Sequence, residues 1–591
     1  MYIEKISFPK DLKDISKNEL ALLCDEIRTS LLKKLSEHGG HIGPNLGIVE
    51  LTVAMHYVFN SPTDKFVFDV SHQSYVHKML TGRKAAFLDA EKYDDVSGFS
   101  NPNESEHDFF TIGHTSTSVS LACGLAKARD LKGDNENIVA IIGDGSLSGG
   151  EAYEGLNNAV EAGTNLIVIV NDNEMSIAEN YGGVYQNLKA LRDTNGTCEC
   201  NFFKAMGFEY HYVADGHDIQ QVIDALNLVK DTAKPVVLHV RTVKGKGFLP
   251  AEENKELFHA GGPFDLITGT PKHTPNGEDY CDLTGAFLLE KIKEDSRLLA
   301  ITSATPPVIG FTPERRAEAG KQFIDVGIAE EHAVAYASGI AKNGGKPVYG
   351  IYGTFIQRTY DQLSQDLCIN KNPAVILVFW ASVYGMNDIT HLGLYDIPLM
   401  SNIPNLVYLA PTCKEEYFSM LTWAIEQNEH PVAIRVPGMG VTTSGKADNT
   451  DYSMLNRYQV TKKGTKVAVI ALGSFYALGE DVVNTLSLNA GINATLINPK
   501  YITGVDEDLL NALKQDHSLV ITLEDGVLDG GFGEKITRYY GMSDMKVKNY
   551  GIKKSFPDRY IAADLLKENG LASEQIVADI IDYLSSHTKL M

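Results

Sequence analysis

Short apolar runs separated by helix-length segments recur along the chain. Ile138–Ile142 is apolar throughout and stops at Gly143-Asp144-Gly145. Residues 151–162 carry a helical pattern, and Leu166–Val170 is a second apolar run that stops at Asn171-Asp172-Asn173. Runs this short, apolar toward both faces, predict parallel strands buried between layers of helix. The same pattern predicts strands at 236–240, 348–351, 374–379, 467–472, 494–498 and 519–523, and helices at 19–35 and 333–341. Strands alternating with helices predict an α/β protein of doubly wound, mostly parallel sheets. Glycine, proline, threonine and asparagine crowd residues 262–280, and a second polar, glycine-bearing stretch covers 438–456. Both read as linkers, which divides the chain into three domains at 1–265, 280–440 and 457–591.

The length of 591 residues is too great for one core. A net charge of −23 argues against a nucleic-acid partner, which needs a basic face. Seven cysteines, an odd and small number, fit a reducing compartment. Cys198-Glu199-Cys200 is the one close pair, and without a second pair or a histidine cluster it reads as free thiols on a loop. The N-terminal residues 1–18 lack a signal-peptide core, and no run approaches the roughly 18 apolar residues of a membrane helix. A cytoplasmic protein is expected, with no membrane partner.

Ligands of open α/β sheets bind at the carboxyl edge, where the polar groups here are concentrated. Asp144 offers a hard anionic oxygen, Asn173 a carbonyl oxygen, and the backbone near Met175 another. With diphosphate oxygens they would complete the octahedron of Mg²⁺. Gly-Asp-Gly alone is an ordinary turn; placed between two apolar runs, with Asn-Asp-Asn closing the second, it resembles the diphosphate–magnesium motif of thiamin-diphosphate enzymes.

Further motifs follow in order: Gly40-His41, Ser71-His72-Gln73, Gly113-His114-Thr115-Ser116, Ile328-Ala329-Glu330, Tyr352-Gly353-Thr354-Phe355-Ile356-Gln357-Arg358 and Asp361-Gln362. Over nearly its whole length the chain resembles the 1-deoxy-D-xylulose-5-phosphate synthase family, relatives of transketolase. The resemblance implies three domains of the thiamin-diphosphate/transketolase type, a homodimer, and thiamin diphosphate with Mg²⁺. It implies decarboxylation of pyruvate and ligation of the two-carbon unit to an aldehyde, prototypically glyceraldehyde 3-phosphate, serving isoprene and thiamine biosynthesis. A transketolase-type transfer or an acyloin synthase with another acceptor is the alternative, and a catalytically inactive binding subunit is an alternative of a different class.

The resemblance also assigns residues. Asp144, Asn173 and the Met175 carbonyl would hold Mg²⁺. His72, Gly113, His114, Thr115, Gly145, Ser146, Asn173 and Phe248 would line the cofactor. Glu330 would be the carboxylate that activates the aminopyrimidine, with Phe355 stacked on that ring and Glu331 on the helix surface. His41, Tyr352, Arg358, His391 and Arg435 would face substrate, and the imidazoles of His41, His72, His114 and His391, with Arg358, would assist proton transfers. His259, beside the first linker, is the weaker candidate.

The chain departs from the family at the acceptor-phosphate site. Trp380 stands where an Asp-Arg-Ala-Gly stretch has its arginine, Gly385-Met386-Asn387-Asp388 replaces Gly-Ala-Asp-Gly and so moves or neutralises the acid, and Gly438 replaces the second arginine of Arg-Tyr-Pro-Arg-Gly. A guanidinium binds phosphate through a fixed bidentate fork. Its loss predicts a changed acceptor, or weakened use of a phosphorylated one. The segment from 177 to 208 is also shorter than the family usually carries, and Glu253 replaces a lysine.

Overall fold

In a computed structural model, residues 1–273, 277–438 and 440–588 are described. Residues 274–276 of the first expected linker, Met439 of the second, and the last three residues of the third expected domain lie outside them. The chain divides into two compact units, Met1–Asn276 with Val326–Ala329, and Gly277–Asp325 with Glu330–Met591.

The first unit is built on five parallel strands, β1 (Lys65–Phe68), β2 (Ile138–Gly143), β3 (Ile167–Asp172), β4 (Glu209–Val213) and β5 (Val236–Arg241), in the order β1-β2-β3-β5-β4. Alternate residues serve two separate cores. Val139, Ile141, Ile167 and Ile169 enter one apolar cluster, while Ile138, Ala140, Ile142, Val168 and Val170 enter the other. This two-residue alternation, with every one of these side chains buried, is why the strands read as uninterrupted apolar runs.

The second unit holds two sheets. One comprises β6 (Leu298–Thr302), β7 (Phe323–Asp325), β8 (Lys346–Tyr352), β9 (Val375–Phe379), β10 (Val407–Leu409) and β11 (Val432–Val436), ordered β10-β11-β9-β8-β6-β7 and wholly parallel. The other comprises β12 (Gln459–Lys462), β13 (Lys466–Ala471), β14 (Thr495–Asn498), β15 (His517–Val527) and β16 (Lys546–Ile552), ordered β12-β14-β13-β15-β16. Only its edge strand β12 is antiparallel, against β14. Three mostly parallel sheets therefore carry the α/β fold.

The described residues of both expected linkers include buried aromatic side chains. Phe264 is buried against Phe248 and Phe258 in the core of the first unit, and Tyr280 is buried where the helix Tyr280–Glu294 begins. In the second stretch Tyr452 is buried and donates its hydroxyl to Asp448. Composition marked these segments as irregular backbone, but aromatic side chains pin them. Among the described residues no helix is long and apolar enough to cross a membrane. All seven cysteines are free thiols, Cys200 exposed and Cys198 half-buried.

Candidate active site

In the first unit three loops at the carboxyl ends of β1 and β2 are knitted together by one carboxylate. Asp69, fully buried, accepts the backbone N–H groups of Ser116 at 2.8 Å and Ser118 at 3.0 Å. The Ser116 hydroxyl in turn donates to the Ser146 carbonyl at 2.8 Å. Val70, Ser71 and Ser116 all have positive φ, between 56° and 71°. Such backbone persists only where its surroundings over-determine it, and it gathers at ligand-binding loops. Gly113 is buried, and His114 and Thr115 are half-buried in the loop that ends at the helix Ser118–Lys132.

Asp144 opens the short 3₁₀ turn after β2 and is buried. Asn180 donates its amide to Asp144 Oδ2 at 2.6 Å, and the Asn173 backbone N–H approaches Oδ1 at 3.4 Å. Burial, with the neighbouring Asp172 charge, pushes the Asp144 carboxyl up. For Asp172 burial acts the same way, but His239 at 2.8 Å and Arg192 at 2.6 Å outweigh it and hold that carboxyl low. Asn173 Oδ1 and Asn180 Oδ1 are buried acceptors with no hydrogen-bond partner. Met175 pairs with Glu179 in an isolated antiparallel bridge. At Gly145 a Cβ would come within 2.7 Å of Ser176 Cβ, so only glycine lets these two loops close on each other. Tyr185, in the shortened 177–208 segment, donates to the Gly145 carbonyl at 3.0 Å.

Among the described residues no group of three or more His, Cys, Asp or Glu could hold a metal. Asp144 with two amide oxygens is a sparse donor set. It suits Mg²⁺, which keeps one or two carboxylates and takes the rest of its shell from phosphate and water. The orphaned Asn173 oxygen beside Asp144 fits that group.

His41 and His72 meet edge to face, ring centroids 5.1 Å apart, and His259 stacks on His72 at 5.2 Å. The Lys244 ammonium donates to the Ser176 carbonyl at 2.5 Å and lies 3.1 Å from His259 Nδ1. Burial pulls Lys244 down to about 7. His259 thus belongs with His41 and His72, although its sequence position made it the weaker candidate. Phe248, expected at the cofactor, packs its ring on Phe258 and Phe264 within the core of the first unit.

In the second unit Glu330 is the first residue of the helix Glu330–Lys342 and is buried, while Glu331 is half-buried. Glu330 Oε2 has no hydrogen-bond partner and sits 3.7 Å from Arg358. Burial raises its carboxyl, and the Arg358 charge opposes this only in part. A buried carboxyl oxygen left this way is costly unless something donates to it. An aminopyrimidine whose ring nitrogen carries a proton, as in its imino tautomer, fits that need.

Tyr352, Phe355, Trp380 and His391 form one aromatic strip. Tyr352 meets Trp380 at 6.3 Å and Phe355 at 5.6 Å, and Phe355 meets His391 at 5.6 Å, all edge to face. His391 Nδ1 lies 2.7 Å from the Thr390 hydroxyl. Arg435, expected to face substrate, is instead buried. Its Nε contacts Asp396 Oδ2 at 2.7 Å, its Nη2 contacts Asp396 Oδ1 at 3.2 Å, and its Nη1 pairs with Asp525. Two buried carboxylates demand a buried cation, and that demand decides where the guanidinium lies.

The family model for 1-deoxy-D-xylulose-5-phosphate synthase matches residues 3–200 and 193–242. Those for the pyrimidine-binding and C-terminal domains of transketolase match 279–441 and 456–576. A 1-deoxy-D-xylulose-5-phosphate synthase of Clostridium acetobutylicum is 39% identical, covering 93% of this chain and 94% of its own. The Shouchella clausii protein of the same name is 39% identical with 100% of both chains covered. The chain belongs to the 1-deoxy-D-xylulose-5-phosphate synthase family. Membership makes it a transferase of the thiamin-diphosphate-dependent, transketolase type. Against that family, sequence reasoning missed Asn180, Lys244 and Asp69. None of the three lies in a motif named above, and Asp69 acts through backbone N–H groups that no residue pattern records.

Proposed function

We propose that the protein decarboxylates pyruvate and ligates the two-carbon unit to an aldehyde, using thiamin diphosphate and Mg²⁺. Synthesis of 1-deoxy-D-xylulose 5-phosphate from pyruvate and glyceraldehyde 3-phosphate is the prototype. The observation that carries the reading is the pair of orphaned buried acceptors at matching motif positions, Asn173 Oδ1 beside Asp144 and Glu330 Oε2. Kinship with synthases along the full chain supports it.

Asp144, Asn173 and the Met175 carbonyl hold the metal at the diphosphate end, with Gly113, Gly145 and Ser146 giving backbone close to the phosphates. Glu330 takes the aminopyrimidine end. Bound there, thiamin diphosphate supplies the carbon nucleophile and electron sink that decarboxylation needs. Glu330, its carboxyl raised by burial, would share a proton with the pyrimidine ring nitrogen, donating when protonated and accepting when ionised. His41, His72 and His114 of the first unit and Tyr352, Phe355, Arg358 and His391 of the second would orient substrate, with the imidazoles exchanging protons with it. A homodimer in the cytoplasm is the expected setting.

Isothermal titration of the purified protein with thiamin diphosphate, with and without Mg²⁺, tests the cofactor assignment. Release of ¹³CO₂ from [1-¹³C]pyruvate tests the reaction. Binding without pyruvate decarboxylation, but with transfer from a ketose phosphate, would favour a transketolase-type reaction. No binding at all would favour a non-catalytic subunit. An acyloin synthase with a different acceptor is the second reading, and Trp380 favours it.

A further inference from the structure

The aromatic strip of the second unit is rigid at Trp380. This residue has φ of +58°, a left-handed backbone rare for an aromatic side chain. Its carbonyl is wedged between two glycines, since a Cβ at Gly385 or Gly393 would lie 2.3 or 2.2 Å from it. The backbone on either side therefore fixes the peptide plane from which the ring projects. The indole ring meets that of Tyr352 edge to face, centroids 6.3 Å apart. Together they present an apolar face.

The charges around this strip are unfavourable to a phosphate. Asp388 lies 4.0 Å from His391. Arg435 is occupied by Asp396 and Asp525, and Arg358 faces Glu330. At position 438 a Cβ would come within 2.8 Å of Gly385 Cα, so the loop through Tyr384 and Gly385 fills the space a long cationic side chain would need. The two positions where the family resemblance places arginines are thus an apolar wall and a glycine locked by backbone. A phosphate brought here would lose water without gaining a bidentate donor.

We propose that the acceptor of this chain is an aldehyde without a phosphate group, its far end resting on the Trp380–Tyr352 wall. This rests on the reading that pyruvate supplies the two-carbon unit. The step is unchanged: the carboxyl carbon of pyruvate leaves as CO₂, the electron pair of the broken bond goes to the carbonyl carbon, and that carbon bonds to the aldehyde carbon, whose oxygen takes a proton.

The full-length protein, loaded with thiamin diphosphate and Mg²⁺, is assayed with [1-¹³C]pyruvate and D-glyceraldehyde 3-phosphate, D-glyceraldehyde or propanal in turn. The expected result is a kcat/KM higher for a phosphate-free acceptor than for the phosphorylated one. In Trp380→Arg the ratio moves toward the phosphorylated acceptor by one to two powers of ten, the worth of one charge-assisted contact. Trp380→Phe keeps the wild-type order of preference. An equal or higher kcat/KM for glyceraldehyde 3-phosphate in the wild type overturns the proposal while leaving pyruvate chemistry intact. Absence of CO₂ release with every acceptor removes the parent reading and this proposal together. If the arginine variant does not fold, the wild-type comparison decides alone.

Discussion

Arg435 and Asp525 form a buried ion pair that joins the end of β11 to β15 within the second unit. Asp525 also accepts the Ser382 hydroxyl at 2.7 Å, two residues after Trp380, and the Ser474 hydroxyl. One carboxylate therefore ties the C-terminal sheet to the loop that aims Trp380. Removing Asp525 leaves Arg435 with Asp396 alone and two hydroxyls without their acceptor, a loss below the about 3–5 kcal/mol of a buried charge left with no partner. Asp525→Ala is expected to lower the midpoint of guanidinium denaturation accordingly. An unchanged midpoint would mean that Asp396 alone suffices for Arg435.

Glu330→Gln separates chemistry from folding. The variant keeps the shape of the side chain and removes the charge that burial already disfavours, so the melting temperature without cofactor stays level or rises. Turnover of pyruvate is expected to fall by about 10²–10⁴-fold, the usual worth of a positioned proton-transfer group. Single-turnover CO₂ release checks this, with thiamin diphosphate binding measured alongside. Retained turnover would remove Glu330 from the activating role.

Asn180 holds one oxygen of Asp144 through a 2.6 Å hydrogen bond, while its own carbonyl oxygen has no partner. A group that orients a metal-binding carboxylate commonly contributes about 10–100-fold in metal affinity. Asn180→Ala is expected to raise the Mg²⁺ concentration for half-maximal cofactor binding by that factor, leaving the strands β2 and β3 unaltered by circular dichroism. An unaltered Mg²⁺ dependence would show that the Asn180 contact is only structural.

The sheets were legible because their strands are buried on both faces, and Val139 and Ala140 carry that signal whichever cluster they enter. Asp144, Asn173 and Glu330 were legible because strand ends and a helix start place them beside motifs of fixed spacing. What stayed hidden depends on partners far along the chain. Arg435 lies 90 residues from Asp525, and nothing local to its strand distinguishes a guanidinium bound for substrate from one bound for a buried acid. Phe248 reads as a loop aromatic until Phe258 and Phe264 supply its cage. Gly438 looked like a lost side chain, whereas the structure gives the reason for the loss in the backbone of Gly385.

His56 and His77 make folding of the first unit sensitive to acid. His77 Nε2 lies 2.9 Å from Asp108 Oδ1, and its Nδ1 lies 2.9 Å from His56 Nε2. Arg83 already binds both oxygens of Asp108, at 2.7 and 2.9 Å. The chain of bonds is satisfied when His77 donates to Asp108 and accepts from His56, with both rings neutral. A further proton on His56 would sit at Nδ1, which is buried without a partner. Burial lowers both histidines from their ordinary value of 6.5, His56 the more strongly, with the Arg83 charge adding to it; at His77 the Asp108 carboxylate opposes the shift. The unfolded chain then binds protons that the folded one refuses. The contribution to stability is present above pH 6.5 and is lost as pH falls toward the depressed folded values. Each histidine adds up to about 1.4 kcal/mol per pH unit to that slope. Urea denaturation at steps between pH 7.5 and pH 5 (roughly one unit either side of the ordinary histidine value) is expected to be steeply pH-dependent in the wild type. In the double variant His56→Gln, His77→Gln it should be flatter, though the variant starts from lower stability at the upper end. Parallel slopes would place the acid sensitivity elsewhere in the chain.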